Sequence, residues 1–391
     1  MKTALQFGAG SIGRGFMGQL FSESGYEVVF VDVVPEIVSE LNARRSYPLR
    51  IAGNSIQELI IQNVRAVNAA DEDEVAKEVA RAAIICTAVG ASALPSVAKL
   101  LARGLCQRTD PVNIIICENL PRPAETMKQL LLENAPSSLH PFIEQKVGLV
   151  EAVVARMVPV QQRAPGSDPL SVTVEPYKRL PVNALGFIGP PPNIVGMEPK
   201  RNFQAYVDRK LFTHNAGHAV AAYLGHLKGY QYIHEVVSDP ELRGKVRAAM
   251  DETGAALIQK HGFDPQEHSE HIEDLIARFG NVALGDTVAR VGRDPIRKLA
   301  HDERLVGGAL LAMEYGIEPK TLAEAIAAAL HFREPGDPSA ERLQKMLNEH
   351  GIDRVLQCVC GLEPNHPLAE MVKNAQRKLP QISKQNNRKA R

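Results

Sequence analysis

The sequence predicts an α/β protein: a doubly wound parallel sheet, followed by an all-α second domain. Three observations predict it. A strand–glycine turn–helix–strand unit opens the chain, apolar runs alternate with helical segments as far as residue 117, and from about Asn202 nearly every segment has helical period. At 391 residues the chain has the length of two domains.

Thr3 to Phe7 reads as a strand, and Gly8-Ala-Gly-Ser-Ile-Gly13 follows at once. A helical pattern runs from about Gly13 to Glu23, and a second strand, Glu27 to Val31, ends at Asp32. This βαβ unit carries its turn where a Rossmann-type fold needs it. Further strand signals lie at Ala83 to Thr87 and Val112 to Cys117, with helical segments near Asp71 to Ala80 and Ser92 to Arg103. Such alternation implies a parallel sheet covered on both faces. The apolar run Val147 to Val158 and the short run Leu170 to Val174 are expected to add strands to it. Gly186 to Pro199, rich in Gly and Pro, reads as a linker or an ordered crossover loop. Helical periods then cover Phe203 to Leu227, Pro240 to His261, Glu303 to Tyr315, Leu322 to Phe332 and Ala340 to His350. The expected domains are 1–195 and 196–380, with a flexible basic tail at 381–391 where Lys384, Arg388, Lys389 and Arg391 sit among Gln and Asn.

Composition narrows the partners. Lys+Arg and Asp+Glu are both 45, so the net charge is +0 and gives no electrostatic case for nucleic acid or a membrane surface. No apolar stretch is long enough to span a bilayer, and the N-terminus opens directly on a strand without a signal-peptide pattern. The 5 cysteines have no regular framework, which argues for reduced thiols and a cytoplasmic setting. Cys358-Val-Cys360 is too closely spaced for a zinc pair, so no metal is expected.

The glycine turn carries the first chemistry. Glycines at 8 and 10 let the backbone turn tightly and approach a pyrophosphate, which then meets the helix N-terminus. Gly8, Ala9, Gly10, Ser11, Ile12 and Gly13 are therefore candidate NAD ligands. Asp32, about 20 residues further on, can accept from the ribose hydroxyls. It would repel the extra phosphate of NADP, and Val33 and Val34 offer that phosphate no cation. Thr87-Ala-Val-Gly90 and Glu118-Asn119 each follow a strand, at the edge of the sheet where ligands bind; Thr87 and Val89 join the cofactor set. Asn119 is a candidate oxyanion donor, or else a strand-end turn residue.

The second chemistry lies in Lys-Leu-Phe-Thr-His-Asn-Ala-Gly-His, residues 210–218. At about 100° per residue, a helix here places Lys210, His214, Asn215 and His218 within an arc of roughly 140°, with Leu211 and Phe212 partly inside it. A lysine titrates near neutrality where its site is dry or already positive, an amide donates to a developing oxyanion, and an imidazole holds a substrate in register. The plain alternative is a solvated helix face. Further on, Arg290-Val-Gly-Arg-Asp-Pro-Ile-Arg-Lys-Leu-Ala-His301 gathers cations around a Gly/Pro turn. Arg293, Arg297, Lys298 and His301 are candidates for a substrate phosphate, against a solvated charge run.

Together, Leu-Gln-Phe-Gly-Ala-Gly-Ser-Ile-Gly-Arg-Gly-Phe and Lys210-x4-Asn215-x2-His218 resemble the polyol-specific long-chain dehydrogenase/reductase (mannitol dehydrogenase) family. Similar passages are Glu118-Asn119-Leu, Val174-Glu175-Pro176, Gly196-Met197-Glu198, Arg209-Lys210-Leu211-Phe212, Arg290 to Leu299, and Glu314-Tyr315-Gly316, so that the resemblance covers nearly the whole chain outside the tail. It implies Lys210 as general acid/base, Asn215 in the oxyanion hole, His218 as substrate-orienting residue, and no metal in the reaction. Chain length is similar to that of the sugar-phosphate branch. The implied reaction is NAD-dependent interconversion of D-mannitol 1-phosphate and D-fructose 6-phosphate by a cytoplasmic monomer or homodimer. Some members carry a glutamate three residues before the lysine for proton exchange; here that position is Val207, followed by Asp208, a departure that counts against a proton path of that kind.

The same family offers an unphosphorylated polyol or a hexuronate as substrate. A 6-phosphogluconate-type dehydrogenase also pairs such domains, but with Lys-x3-Asn after a glycine pattern that is missing here. A regulatory NAD sensor would have no use for an acid/base lysine.

Overall fold

The computed structural model of the chain describes residues 1–53, 55–159 and 166–379, so the expected basic tail at 381–391 lies outside the described residues. The chain forms two compact units, Met1–Tyr206 and a second that begins at Val207. The division falls inside the helical run that opens at Phe203, a little beyond the boundary expected near 196.

The first unit contains β1 (Thr3–Phe7), β2 (Glu27–Asp32), β3 (Ser46–Ala52), β4 (Ile56–Gln62), β5 (Val64–Asn68), β6 (Ile84–Thr87), β7 (Val112–Ile116), β8 (Val147–Glu151), β9 (Val172–Val174), β10 (Leu180–Asn183) and β11 (Met197–Lys200). Six of them form one sheet in the order β5-β2-β1-β6-β7-β8, every neighbouring pair parallel. The strands are buried on both faces, which is why they read as unbroken apolar runs rather than alternating ones. Phe16, Leu20, Phe30 and Tyr47 belong to one core cluster, and Val29, Val79, Leu101 and Ile114 to another. The strand order reverses between β1 and β6, and a ligand site of a doubly wound sheet lies outside the carboxyl ends at that point.

Three expectations need correction. Only Val147–Glu151 of the 147–158 run is strand; it extends the main sheet beside β7. The 170–174 run does not join that sheet. Its β9 pairs parallel with β3, and β3 pairs antiparallel with β4, in a separate three-stranded sheet. The Gly/Pro-rich stretch ends in β11, which pairs with β10. The hairpin β3–β4 is absent from the sequence reading because Pro48 speaks against a strand and β4 has no buried alternation.

The smaller sheet braces the glycine helix: Tyr47 Oη donates to Arg14 O at 2.6 Å. Arg156 donates to Gly15 O at 2.9 Å and to Gln19 Oε1 at 2.7 Å.

Past Lys200 the described residues form helices and loops, with an isolated bridge between Tyr232 and Thr287. Pro240–His261 shows why the sequence folds this way: Asp239 accepts from the Glu241 and Leu242 amides at 2.9 and 3.2 Å, Pro240 starts the first turn, and Gly262 (φ 70°) ends the last. Pro265–Phe279 and Pro367–Lys378, both opened by proline, are further amphipathic helices of this unit. Pro338–Cys358 bends at Gly351 (φ 76°).

Candidate active site

In the first unit the site is built at the end of β1. Gly8 has φ 90°, and a Cβ there would stand 2.5 Å from Ala88 O; a Cβ at Gly13 would stand 1.9 Å from Gly8 O. These two glycines shape the turn. Gly10 differs: a Cβ there would meet no protein atom within 4 Å. Gly10 and Ser11 are the exposed members of the turn, Ala9 is buried, and Ile12 packs against the core. A backbone bare of side chain at the start of a helix fits a pyrophosphate. Arg14 does not serve it, since its Nε donates to Ala9 O at 2.5 Å and another of its nitrogens to Leu170 O.

The end of β2 places Asp32 against this turn. One carboxylate oxygen accepts from the Ala9 amide at 2.7 Å and the other from the Val34 amide at 3.0 Å. The Ala9 amide is thereby engaged by Asp32, and each carboxylate oxygen keeps a further lone pair. Val33 is 73% exposed.

Across the switch point, Thr87 is wholly buried and its hydroxyl lacks a partner among the described residues. Val89 is half-buried, and its amide and that of Gly90 donate to the two carboxylate oxygens of buried Glu118 at 2.9 and 2.8 Å. Glu118 ties the loop after β6 to the loop after β7. The sequence singled out Glu118-Asn119 without this role for the acid; its only signal was a carboxylate closing an apolar strand. Asn119 is exposed just past it.

In the second unit the catalytic candidates lie on a helix that changes its winding. Phe203–Arg209 is α-helical, Lys210–Asn215 is a π-helix, and Ala216–Lys228 is α-helical again. A π-turn closes i→i+5, so residues five apart come round to one side. Lys210 and Asn215 have that spacing. The carbonyl of Phe212, within the widened turn, accepts from the Thr253 hydroxyl at 2.7 Å. Gly217 brings the helix close to Pro240–His261: a Cβ there would meet Met250 Sδ at 2.5 Å.

Lys210, Asn215 and His218 are partly exposed, whereas Thr213 and His214 are buried. Burial, and after it the guanidinium of Arg278, hold the His214 imidazole well below its usual pKa, so it stays neutral. His218 stacks on Phe279 at 4.7 Å and 9°. Its Nε2 lies 2.9 Å from Asp286 Oδ2, a close polar approach made off the N–H line. Asp286 also accepts from Arg290 Nε at 2.7 Å. Burial raises the Asp286 carboxyl, but His218 and Arg290 outweigh it and hold the acid below the usual range. Sequence reasoning missed Asp286; an acid in a Gly/Thr loop carries no motif.

Beside Lys210, buried Asp208 contacts Lys260 Nζ at 3.1 Å and His261 Nε2 at 2.8 Å.

The cation-rich segment is mostly engaged by the protein itself. Arg297 pairs with Asp294 at 2.6 Å and approaches Glu303 at 3.5 Å, and His301 meets Asp302 at 2.8 Å. Lys298 is buried, and its Nζ donates to Val291 O at 2.7 Å and to Arg293 O. Burial, helped by Arg304, Arg297 and Arg293, pushes its pKa down to about 7. Arg293 is exposed. Among the described residues no group of three or more His, Cys, Asp or Glu could hold a metal, and no helix is long and apolar enough to cross a membrane.

A glycine turn on a doubly wound sheet, with a lysine, an amide and an imidazole on one helix of a second unit, defines a dinucleotide-dependent oxidoreductase. The chain belongs to the mannitol dehydrogenase family: the family's Rossmann-domain model matches residues 2–196 and its C-terminal-domain model residues 202–380. It is 41% identical, over 97% of its length and 99% of the relative's, to a mannitol-1-phosphate 5-dehydrogenase of Brevibacillus brevis. Two solved structures share the fold. The Pseudomonas fluorescens mannitol 2-dehydrogenase, in a ternary complex with NAD and D-mannitol, has a TM-score of 0.75 at 19% identity, covering 97% of this chain and 92% of that one. A substrate-free D-sorbitol dehydrogenase has a TM-score of 0.80 at 16% identity, with coverage of 96% and 94%.

Proposed function

We propose that the protein interconverts D-mannitol 1-phosphate and D-fructose 6-phosphate with NAD. In the oxidative direction the neutral amine of Lys210 takes the proton from the C5 hydroxyl while C5 passes its hydride to the nicotinamide. The products are the ketone, NADH and the lysine ammonium; in reverse the ammonium returns its proton to the alkoxide. Asn215 donates to that oxygen, with Asn119 as a second donor, and His218 orients the polyol. NAD rather than NADP follows from Asp32 and the exposed Val33 beside it.

The observation that carries the chemistry is the π-turn, whose i→i+5 closure puts Lys210 and Asn215 on one side. What supports the phosphorylated substrate is the Brevibacillus relative. The phosphate falls to Arg293 and to Arg297, the exposed guanidiniums of their segment, Arg297 turning from Asp294 to meet it, since Lys298 is spent on backbone carbonyls. The test is NADH oxidation with fructose 6-phosphate beside fructose, fructuronate and tagaturonate. Fructose 6-phosphate should be preferred in kcat/KM by about a hundredfold or more, the worth of one or two charge-assisted contacts. Equal or better turnover of an unphosphorylated ketose or hexuronate would instead identify a polyol or hexuronate enzyme of the same family.

A further inference from the structure

Asp286 is 8% exposed and sits where three elements meet. Its carbonyl accepts from the Ile233 amide at 2.9 Å, and the next residue, Thr287, caps the helix Val288–Gly292. The backbone is thus fixed before the side chain acts. That side chain faces His218 through one carboxylate oxygen and Arg290 through the other. Phe279 lies flat against the His218 ring, and His214 stands 6.3 Å away, centroid to centroid.

We propose that Asp286 is a positioning residue that sets the tautomer of His218 and, through it, how a polyol hydroxyl is bound. A carboxylate beside Nε2 keeps the proton on that nitrogen and leaves Nδ1 as an acceptor. His218 then receives a hydrogen bond from a substrate hydroxyl rather than giving one. The same carboxylate engages Arg290 through Nε and a terminal nitrogen, so the imidazole and the guanidinium are fixed relative to each other. A ring held only by stacking could rotate and present either nitrogen. The kinetic part of this inference rests on the proposed polyol chemistry; the tautomer part does not.

The experiment compares wild type with Asp286→Ala and with the isosteric Asp286→Asn. Long-range ¹H–¹⁵N spectra of histidine-labelled protein, with the His218 signals assigned by His218→Gln, report the tautomer without substrate. Nε2–H is expected in wild type and a mixture in Asp286→Ala. With NADH and fructose 6-phosphate, Asp286→Ala should raise KM about tenfold with kcat within about threefold, the scale of one hydrogen bond to a charged or oriented partner. Asp286→Asn should fall between, and the Kd for NADH should be unchanged in both. A folded Asp286→Ala with an unaltered tautomer, or with wild-type KM, overturns the inference. If Asp286→Ala does not fold, Asp286→Asn decides by the same two measurements. Failure of wild type to reduce fructose 6-phosphate would overturn the proposed substrate alone, and the spectra would still decide on Asp286.

Discussion

The glycine turn and the lysine turn use the same backbone device for opposite ends. Both leave α-geometry for a π-helix, at Gly13–Met17 and at Lys210–Asn215, although π-turns make up well under about 1% of residues in soluble proteins. At the first, the residues serve by what they lack: a Cβ at Gly13 has no room and one at Gly10 would stand in the open. At the second they serve by what they carry, an amine, an amide and an imidazole. A backbone site tolerates change according to space, and a side-chain site according to chemistry.

The largest expected effect lies in the side-chain site. Lys210→Ala should lose both reaction directions by several orders of magnitude and keep its Kd for NADH. In wild type, oxidation needs the neutral amine and should speed up with rising pH, whereas reduction needs the ammonium and should slow. Parallel pH–rate profiles, or near-normal turnover of the alanine variant, would remove Lys210 from the proton transfer.

Within the backbone site the contrast is internal. Gly13→Ala should destabilise the protein by about 3 kcal/mol, because the clash is with backbone. Gly10→Ala should leave the urea midpoint where it was and raise the Kd for NADH about tenfold or more, since the added methyl meets only the approaching cofactor. A destabilised Gly10→Ala of normal affinity would reverse their assigned roles. The smallest effect joins the two kinds of site: Thr253→Val removes the donor to Phe212 O and should cost about 1 kcal/mol. A fall in kcat beyond the stability loss would mean that the π-turn itself aligns Lys210 with Asn215.

The glycine turn was legible because its chemistry is sequential: strand, turn, helix and Asp32 follow one another in register, and the observed β1 and β2 keep the expected ends to within a residue. Lys210, Asn215 and His218 were legible by residue type, but their winding was not. Nothing in the sequence marks where a helix takes an extra residue, and the 100° period spread them over a wide arc. Asp286, and the role of Glu118, were missed for a different reason. Each acts on a partner distant in sequence, His218 or the Val89 and Gly90 amides, and such pairing appears only when the chain is folded. The cation segment shows the converse: charges that are neighbours in sequence are mostly committed to their own acids and carbonyls.

Lys298 couples the helical unit to the alkalinity of its surroundings. An amine pushed down to about 7 in the fold and free to titrate at its ordinary 10.5 when unfolded is a proton the protein gives up in order to fold. Across that interval the unfolded chain binds more protons than the native one, so stability rises with pH; below the folded pKa the fold must hold a buried ammonium and the gain is gone. The slope is at most about 1.4 kcal/mol per pH unit. The two carbonyls it meets suit the two N–H groups of a neutral amine. Urea midpoints of wild type against Lys298→Met, followed from pH 7 to 9, should diverge in favour of wild type as the buffer becomes more basic. A constant gap would mean that the ammonium survives inside. Burial of this one amine thus links folding to the release of a proton between its folded and unfolded titrations, without any substrate.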